Sequence, residues 1–309
     1  MVLLFKKNYI IPTKDWLIPI NKFLTKDINT QGILFEAQLK YNEKLKEIIK
    51  NKIDNRKVIV KITYGKNKNL QIFNDKIKNK NHNIPNFVNT YITIICHENE
   101  LKIEKNKQFC NGDKTDKIIT LEIMDKYHSL HSLKTNKILI IKSLLIQLLL
   151  AQINLFEKYK YTHNDIHLGN ILYKKHKEPI TLNYKYINKK LNNIKIEIIL
   201  SDYDNIFEFN DENIDRYILC DINSETSSSN LGNFNIYLQN SLLSNLIKTT
   251  NTILNINKNK YINKFEKIFR EKEEYFIDKN KEYLLNKQIS KMTNLGIEFY
   301  HLVISIFND

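Results

Sequence analysis

The chain contains 309 residues, of which 42% are hydrophobic and 27% are charged. This balance excludes an intrinsically disordered chain, and the length allows one two-lobed domain or two small ones. The formal net charge of +14 would suit a nucleic acid or an anionic membrane as partner. However, lysine, asparagine and isoleucine are abundant throughout the chain, as in proteins of AT-rich genomes. We therefore interpret the charge as compositional and predict no specific nucleic-acid site.

The cysteines and the first residues give no sign of secretion. The cysteines are odd in number and widely separated, which argues against a zinc site and a disulfide framework: Cys96, Cys110 and Cys220. The apolar run that starts at Met1 is too short for a signal peptide. We expect a soluble, intracellular protein.

One apolar run, from Ile138 to Phe156, is long enough to suggest a membrane span. Lys142 and Gln147 lie well inside it, and a bilayer would penalise them by roughly a few kcal/mol in total. We therefore predict a buried helix of a globular domain at this position, and no transmembrane segment.

The first third of the chain is rich in predicted strands. Residues 31–40 and 57–63 are short apolar, β-branched runs, and the runs at 91–96 and 118–124 have the same character. Between them, residues 70–77 show the apolar spacing of a helix. This part of the chain is therefore predicted to contain a sheet with one helix.

After Tyr127 the pattern becomes helical. The apolar run at 138–156 comes first, residues 194–200 form a further strand, and the chain from Phe234 to its end is predicted to be helical. The segment Ser224 to Asn230 is the most flexible by composition. A strand-rich part followed by a helix-rich part predicts an α+β fold with two lobes that join near residues 125–127.

The most informative segment is 163–170, which reads His-Asn-Asp-Ile-His-Leu-Gly-Asn. Phosphoryl transfer needs a carboxylate that accepts the proton of the attacking hydroxyl and oxygen ligands for magnesium. Asp165 and Asn170 lie five residues apart on a predicted loop, so the carboxylate can face the acceptor while the amide oxygen turns to a metal. The short strand 171–173 is predicted to anchor this loop.

This octet resembles the catalytic loop of the protein-kinase superfamily, His-x-Asp-x-x-x-x-Asn followed by an apolar pair. The resemblance implies that Asp165 is the catalytic base, Asn170 a magnesium ligand and His163 the structural histidine of the catalytic loop. It also implies ATP and Mg²⁺ as cofactors. The implied fold has a small β-rich N-lobe at residues 1–126 and a larger helical C-lobe at residues 127–309.

A second similarity lies at Ser201-Asp202-Tyr203-Asp204, which follows an apolar strand. It is similar to the metal-binding Asp-Phe-Gly of the superfamily, which makes Asp202 the implied ligand of the phosphate-bridging magnesium. Tyr203 takes the aromatic position. Asp204 stands where the motif has glycine.

A third similarity is Val58-Ile59-Val60-Lys61, which resembles the strand motif Val-Ala-Ile-Lys. It implies that Lys61 holds the α- and β-phosphates of ATP. Upstream, Gly32 is the one glycine in a position to serve the phosphate-covering loop. The usual glutamate partner of that lysine is not evident, and the nearest candidates are Gln71, which is neutral, and Asp75.

Adenine would be bound by a hinge segment that includes Met124, Asp125 and Tyr127. An alternative register places the hinge at residues 121–123. The resemblance alone leaves both registers open.

Two departures from the motif concern the acceptor substrate. Asn164 replaces the arginine that pairs with a phosphorylated activation loop in many regulated kinases, and His167 replaces the usual lysine. The order of elements resembles divergent Ser/Thr kinases of large DNA viruses, which implies a protein hydroxyl as acceptor and a host cytoplasm or a virion as location. The pattern His-x-Asp-x-His also resembles aminoglycoside and choline kinases, and the poor glycine loop leaves a pseudokinase scaffold open.

Overall fold

A computed structural model of the chain describes residues 17–19, 33–39, 56–64, 84–88, 90–97, 118–133, 137–203, 205–210, 214, 240–256 and 261–307. These residues belong to two compact units. Unit 1 lies within residues 1–83 and 88–126, and unit 2 within residues 84–87 and 127–309. The described residues combine α-helices with small antiparallel sheets, so the chain is a mixed α and β protein.

Unit 1 contains one five-stranded sheet with the order β1-β2-β3-β5-β4, in which all neighbours are antiparallel. Its strands are β1 Leu17–Pro19, β2 Ile33–Leu39, β3 Arg56–Tyr64, β4 Thr90–His97 and β5 Ile118–Asp125. The strands predicted at 31–40, 57–63, 91–96 and 118–124 are therefore confirmed. The helix predicted at 70–77 and the segment Ser224 to Asn230 lie outside the described residues.

The two faces of this sheet differ in polarity. Val58 and Val60 of β3 share one face with Ala37 and Ile123, and all four are fully buried. Because side chains alternate along a strand, Lys61 lies on the opposite face. The apolar face supplies the core of the unit, and the other face is free to carry charged groups.

Unit 2 is built around α1, Ile138–Tyr159. Its side chains are buried almost continuously from Leu144 to Phe156, and it ends where Lys160 adopts a left-handed conformation with φ 57°. By length and composition α1 could cross a membrane, but 67% of its most apolar window is buried within the protein. Gln152 within it donates a 2.7 Å hydrogen bond to Thr249. The helix predicted at 138–156 is therefore confirmed as a core helix, three residues longer than expected.

A long hairpin packs against α1. Strand β6, His128–Ser129, pairs with β8, Ile171–Tyr184, which pairs with β9, Lys189–Leu200. The strand predicted at 171–173 is present but runs for fourteen residues, and β9 begins five residues before the predicted 194. Lysines and asparagines on the exposed side obscure the apolar alternation that would have indicated both extensions.

Four further helices complete the described part of unit 2: α2 Leu242–Leu254, α3 Tyr261–Arg270, α4 Glu273–Leu285 and α5 Ile289–Ser305. Within the described residues, the predicted helical character of the chain after Phe234 is confirmed. Gly296 of α5 allows close packing, since a Cβ there would lie 3.0 Å from Leu242 Cδ2 and 3.4 Å from Ile153 Cγ1. The resulting core joins α1, α2 and α5 to the base of the hairpin.

Candidate active site

The segment 163–170 is held at both ends by short secondary-structure elements. Strand β7, Tyr161–Thr162, follows directly after α1 and pairs with β10, Phe207–Glu208. At the other end a single 3-10 turn, Leu168–Asn170, leads into β8. The octet is therefore a loop between a core helix and a strand, as the sequence predicts.

His163 is fully buried and connects this loop to the end of β9. Its Nε2 lies 2.8 Å from the carbonyl oxygen of Ser201, and its Nδ1 accepts a 3.3 Å hydrogen bond from the backbone N–H of Asp165. An imidazole that accepts at Nδ1 and donates at Nε2 is neutral. Burial lowers the pKa of His163, which agrees with that state, while the Ser201 carbonyl and two nearby carboxylates act in the opposite direction.

Asp165 and Asn170 contact each other directly. Asn170 Nδ2 donates to Asp165 Oδ2 at 2.9 Å and to the Asp165 carbonyl oxygen at 3.0 Å. The Asp165 side chain is 26% exposed, so it is held in place and still accessible. Neither hydrogen bond uses Asn170 Oδ1, which leaves an oxygen of the right type for a magnesium ligand.

Sequence reasoning missed Asn245, a fully buried residue of α2 that holds the loop from the other side. Asn245 Oδ1 accepts from the Asn164 backbone N–H at 2.8 Å, and its Nδ2 donates to Asn164 Oδ1 at 2.7 Å. Asn164 has φ 61°, a left-handed conformation that asparagine tolerates well. The one sequence signal was an asparagine within the apolar run Leu242 to Ile247.

Lys248 lies one turn beyond Asn245 on α2. Burial lowers the pKa of Lys248, and the negative charge of Asp165 raises it. The Asp165 carboxylate therefore has a cationic neighbour from a distant part of the chain, which sequence reasoning also missed.

His167 folds back over Gly169. Its Nδ1 accepts from the Gly169 backbone N–H at 3.1 Å, and its Nε2 lies 3.6 Å from Asp165 Oδ1. A Cβ at position 169 would lie 2.8 Å from His167 Cε1 and 2.9 Å from Nδ1. The glycine therefore leaves room for the imidazole beside the candidate base.

Asp202 lies next to the loop at the end of β9. The Ser201 backbone N–H and hydroxyl both donate to the Asn170 carbonyl oxygen, at 2.9 and 3.1 Å. Asp202 has φ 64°, a strained conformation that a functional position can retain. Tyr203 fixes the turn, because its hydroxyl donates to the Leu200 carbonyl at 2.6 Å and its ring packs edge-on against His163. Asp204 lies outside the described residues.

Lys61 belongs to unit 1 and is buried on β3, with 8% of its surface exposed. The strand register places Glu122 of β5 directly opposite, and Glu122 is 4% exposed. Cross-strand neighbours lie about 5 Å apart at Cβ, and buried charges need opposite partners. Glu122 is thus an acidic neighbour of Lys61 that the sequence did not indicate. Gln71 and Asp75 lie outside the described residues.

The predicted hinge follows the end of β5. Met124 is buried opposite Ile59 and Asp125 is the last residue of the strand, while Tyr127 lies beyond it and is partly buried. In the alternative register, residues 121–123 pair with β3 and β4 on both sides, so the sheet uses their backbone groups. Gly32 lies outside the described residues.

A metal would have to use mixed oxygen ligands at this site. Within the described residues, no group of three or more His, Cys, Asp or Glu side chains is arranged to hold a metal ion. Asn170 and Asp202 offer an amide and a carboxylate oxygen, which are ligands of Mg²⁺, an ion that commonly keeps several waters and takes further oxygens from phosphates. The donor chemistry therefore fits magnesium delivered together with a nucleotide.

Neither the protein-family models nor the curated proteins that we compared with the chain gave a match.

Proposed function

We propose that the protein is an ATP-dependent phosphotransferase of the protein-kinase-like type, with a two-lobed fold in which unit 1 is the N-lobe and unit 2 the C-lobe. The proposal rests on the hydrogen bond between Asp165 and Asn170. Hydrogen bonds between Ser201 and both His163 and Asn170 hold this pair next to Asp202. A partly exposed carboxylate, an amide oxygen and a second carboxylate are the groups that this reaction requires from the protein.

The roles follow from these positions. Asp165 accepts the proton of the acceptor hydroxyl and orients its oxygen for attack on the γ-phosphate. Asn170 and Asp202 would hold Mg²⁺, which neutralises the charge that develops on the transferred phosphoryl group. Lys61 would bind the α- and β-phosphates, and backbone groups of residues 124–127 the adenine. We propose a protein serine or threonine as the acceptor.

A small-molecule acceptor is the second candidate, and His167 favours it. His167 places a shorter side chain than the usual lysine beside Asp165, with its Nε2 3.6 Å from Asp165 Oδ1. Such a group suits a compact hydroxyl or amine substrate. Incubation with γ-labelled ATP and panels of basic and acidic proteins, beside aminoglycosides and choline, separates the two classes, because label on small molecules alone would exclude the protein acceptor.

Asp202→Asn tests the metal role while keeping a residue that tolerates the left-handed backbone. We expect the thermal shift produced by Mg-ATP to fall by more than half, since the substitution removes a metal ligand charge. Asp278→Asn on the exposed side of α4 is the matched control and should keep the wild-type shift. If the wild-type protein shows no Mg-ATP-dependent thermal shift, the hypothesis of a pseudokinase scaffold replaces that of an active enzyme.

A further inference from the structure

The β8–β9 hairpin concentrates the positive charge of its half of the chain. Residues 171–200 contain seven lysines and two glutamates, a net charge of +5. The rest of residues 127–309 contains 17 basic and 18 acidic residues, a net charge of −1. The expectation that lysines are spread evenly is therefore wrong for this half of the chain.

One side of the hairpin packs against α1 through a cluster of buried residues that includes Leu182, Tyr184 and Ile194. Because side chains alternate along a strand, Lys174, Lys190 and Lys195 point to the opposite side, whereas Lys175 shares the side of Tyr173 and Lys185 lies in the turn between the strands. Six of the seven lysines are exposed: Lys174, Lys175, Lys177, Lys185, Lys190 and Lys195. We call this the basic hairpin face.

In the described part of the chain, no lysine of the basic hairpin face forms an ion pair. Glu197 is the cross-strand neighbour of Lys174, yet its carboxylate bonds to His176 Nε2 at 2.8 Å. Like charges concentrated in one hairpin repel each other, and an anionic partner would relieve this repulsion.

The hairpin also starts and ends at the candidate active site. Ile171 follows Asn170 directly, and Leu200 precedes Ser201 and Asp202. At about 3.3 Å per residue, Lys174 lies roughly 13 Å along the strand from Asn170. A partner held on this face is therefore within reach of Asp165 by a few residues of extended chain.

We propose that the basic hairpin face binds an acidic polypeptide segment and thereby selects a protein acceptor. The selection of the acceptor rests on the proposed function, whereas the binding does not. Nucleic-acid recognition draws on arginines and exposed aromatic rings. The hairpin contains no arginine, two of its three tyrosines, Tyr173 and Tyr184, are buried, and the third, Tyr186, is half-buried with Lys158 and Lys185 over its ring. The exposed lysines instead provide the positive potential that complements an acidic chain.

The test measures binding of a fluorescent decaglutamate peptide to the full chain by anisotropy, without nucleotide. The hairpin variant combines Lys177→Gln, Lys190→Gln and Lys195→Gln. The control variant combines Lys267→Gln, Lys272→Gln and Lys291→Gln, three exposed lysines of unit 2 that give the same change in net charge. We expect the Kd to rise about tenfold in the hairpin variant, roughly twofold per lysine, and less than twofold in the control.

Equal weakening in both variants, or no binding by the wild type, would overturn the proposal. So would a 20-base-pair DNA duplex or an anionic phosphatidylserine vesicle that binds the hairpin more tightly than the peptide does. Asp165→Asn should bind the peptide like the wild type. If the wild-type chain binds the peptide but shows no Mg-ATP turnover, the phosphotransferase proposal is rejected. The proposal that the hairpin binds an acidic segment then still stands.

Discussion

Three contacts hold the segment 163–170, and two of them reach other parts of unit 2. His163 bonds to the Ser201 carbonyl, Asn164 exchanges two bonds with Asn245, and Gly169 leaves room for His167. These contacts orient the backbone on both sides of Asp165. The position of the loop could be predicted from the sequence, but its contact with Asn245 could not, because 80 residues separate Asn245 from Asp165 and no local pattern links them.

His163 makes stability depend on pH. Its pKa is lowered in the folded state, so unfolding takes up a proton once the pH falls below the unfolded value of about 6.5. Titration of His163 therefore leaves the free energy of unfolding unchanged above that pH. Below it, the free energy of unfolding decreases by up to about 1.4 kcal/mol per pH unit. Urea unfolding of the wild type at pH 7.5 and 5.5 should show this loss.

His163→Gln should reduce that loss, because glutamine does not titrate. His301→Gln on the exposed side of α5 is the control and should keep the wild-type pH dependence. An unchanged pH dependence in His163→Gln would contradict a buried neutral imidazole.

Gly169→Ala tests the placement of His167. The added Cβ would overlap the imidazole, whose exposed ring can rotate away, so we expect less than about 1 kcal/mol of lost stability. If His167 acts beside Asp165, Gly169→Ala and His167→Ala should lower kcat by similar factors. The double variant should then be no worse than either one, since both remove the same contact. Additive losses would show that the two positions act independently.

At the scale of elements, a buried polar network fastens the hairpin to α1. Gln147 accepts from the Ile198 N–H at 2.9 Å and donates to the Ile196 carbonyl at 2.9 Å, while Asn86 donates to Gln147 and to the Ile198 carbonyl. The Tyr184 hydroxyl donates to Asn86 at 2.7 Å. Gln147 within the apolar run indicated a buried helix rather than a membrane-spanning one. Its hydrogen-bond partners in β9 could not be predicted from the sequence.

Gln147→Met keeps the volume of the side chain and removes its hydrogen bonds. It leaves the Ile198 N–H and the Ile196 carbonyl without their Gln147 partner in a buried site and removes one of the two acceptors of the Asn86 amide, so we expect a loss of about 2–4 kcal/mol in the free energy of unfolding. Asn192→Met on the exposed side of the hairpin should change it by less than about 0.5 kcal/mol. Equal effects in denaturant titrations would show that the network contributes nothing specific.

At the scale of the whole molecule, hydrophobic runs predicted the four longest strands of unit 1 and the core helix, because burial of continuous apolar segments follows from composition. The length of the hairpin was not predictable in this way, because its strands are partly solvated and lack a continuous apolar run. Pairing between β8 and β9 stabilises them instead. The candidate residues Asp165, Asn170 and Asp202 lie at the base of that hairpin in unit 2, while Lys61 lies in the sheet of unit 1.

The phosphotransferase proposal is tested most directly by Mg-dependent turnover of γ-labelled ATP by the wild type and Asp165→Asn. We predict that the substitution lowers kcat by at least about 100-fold while the Kd for Mg-ATP changes less than about threefold, because the base acts after the nucleotide is bound. Glu178→Gln, an exposed carboxylate of β8, should retain wild-type turnover. Turnover by Asp165→Asn equal to that of the wild type, or no turnover by the wild type with any acceptor, would contradict the proposal.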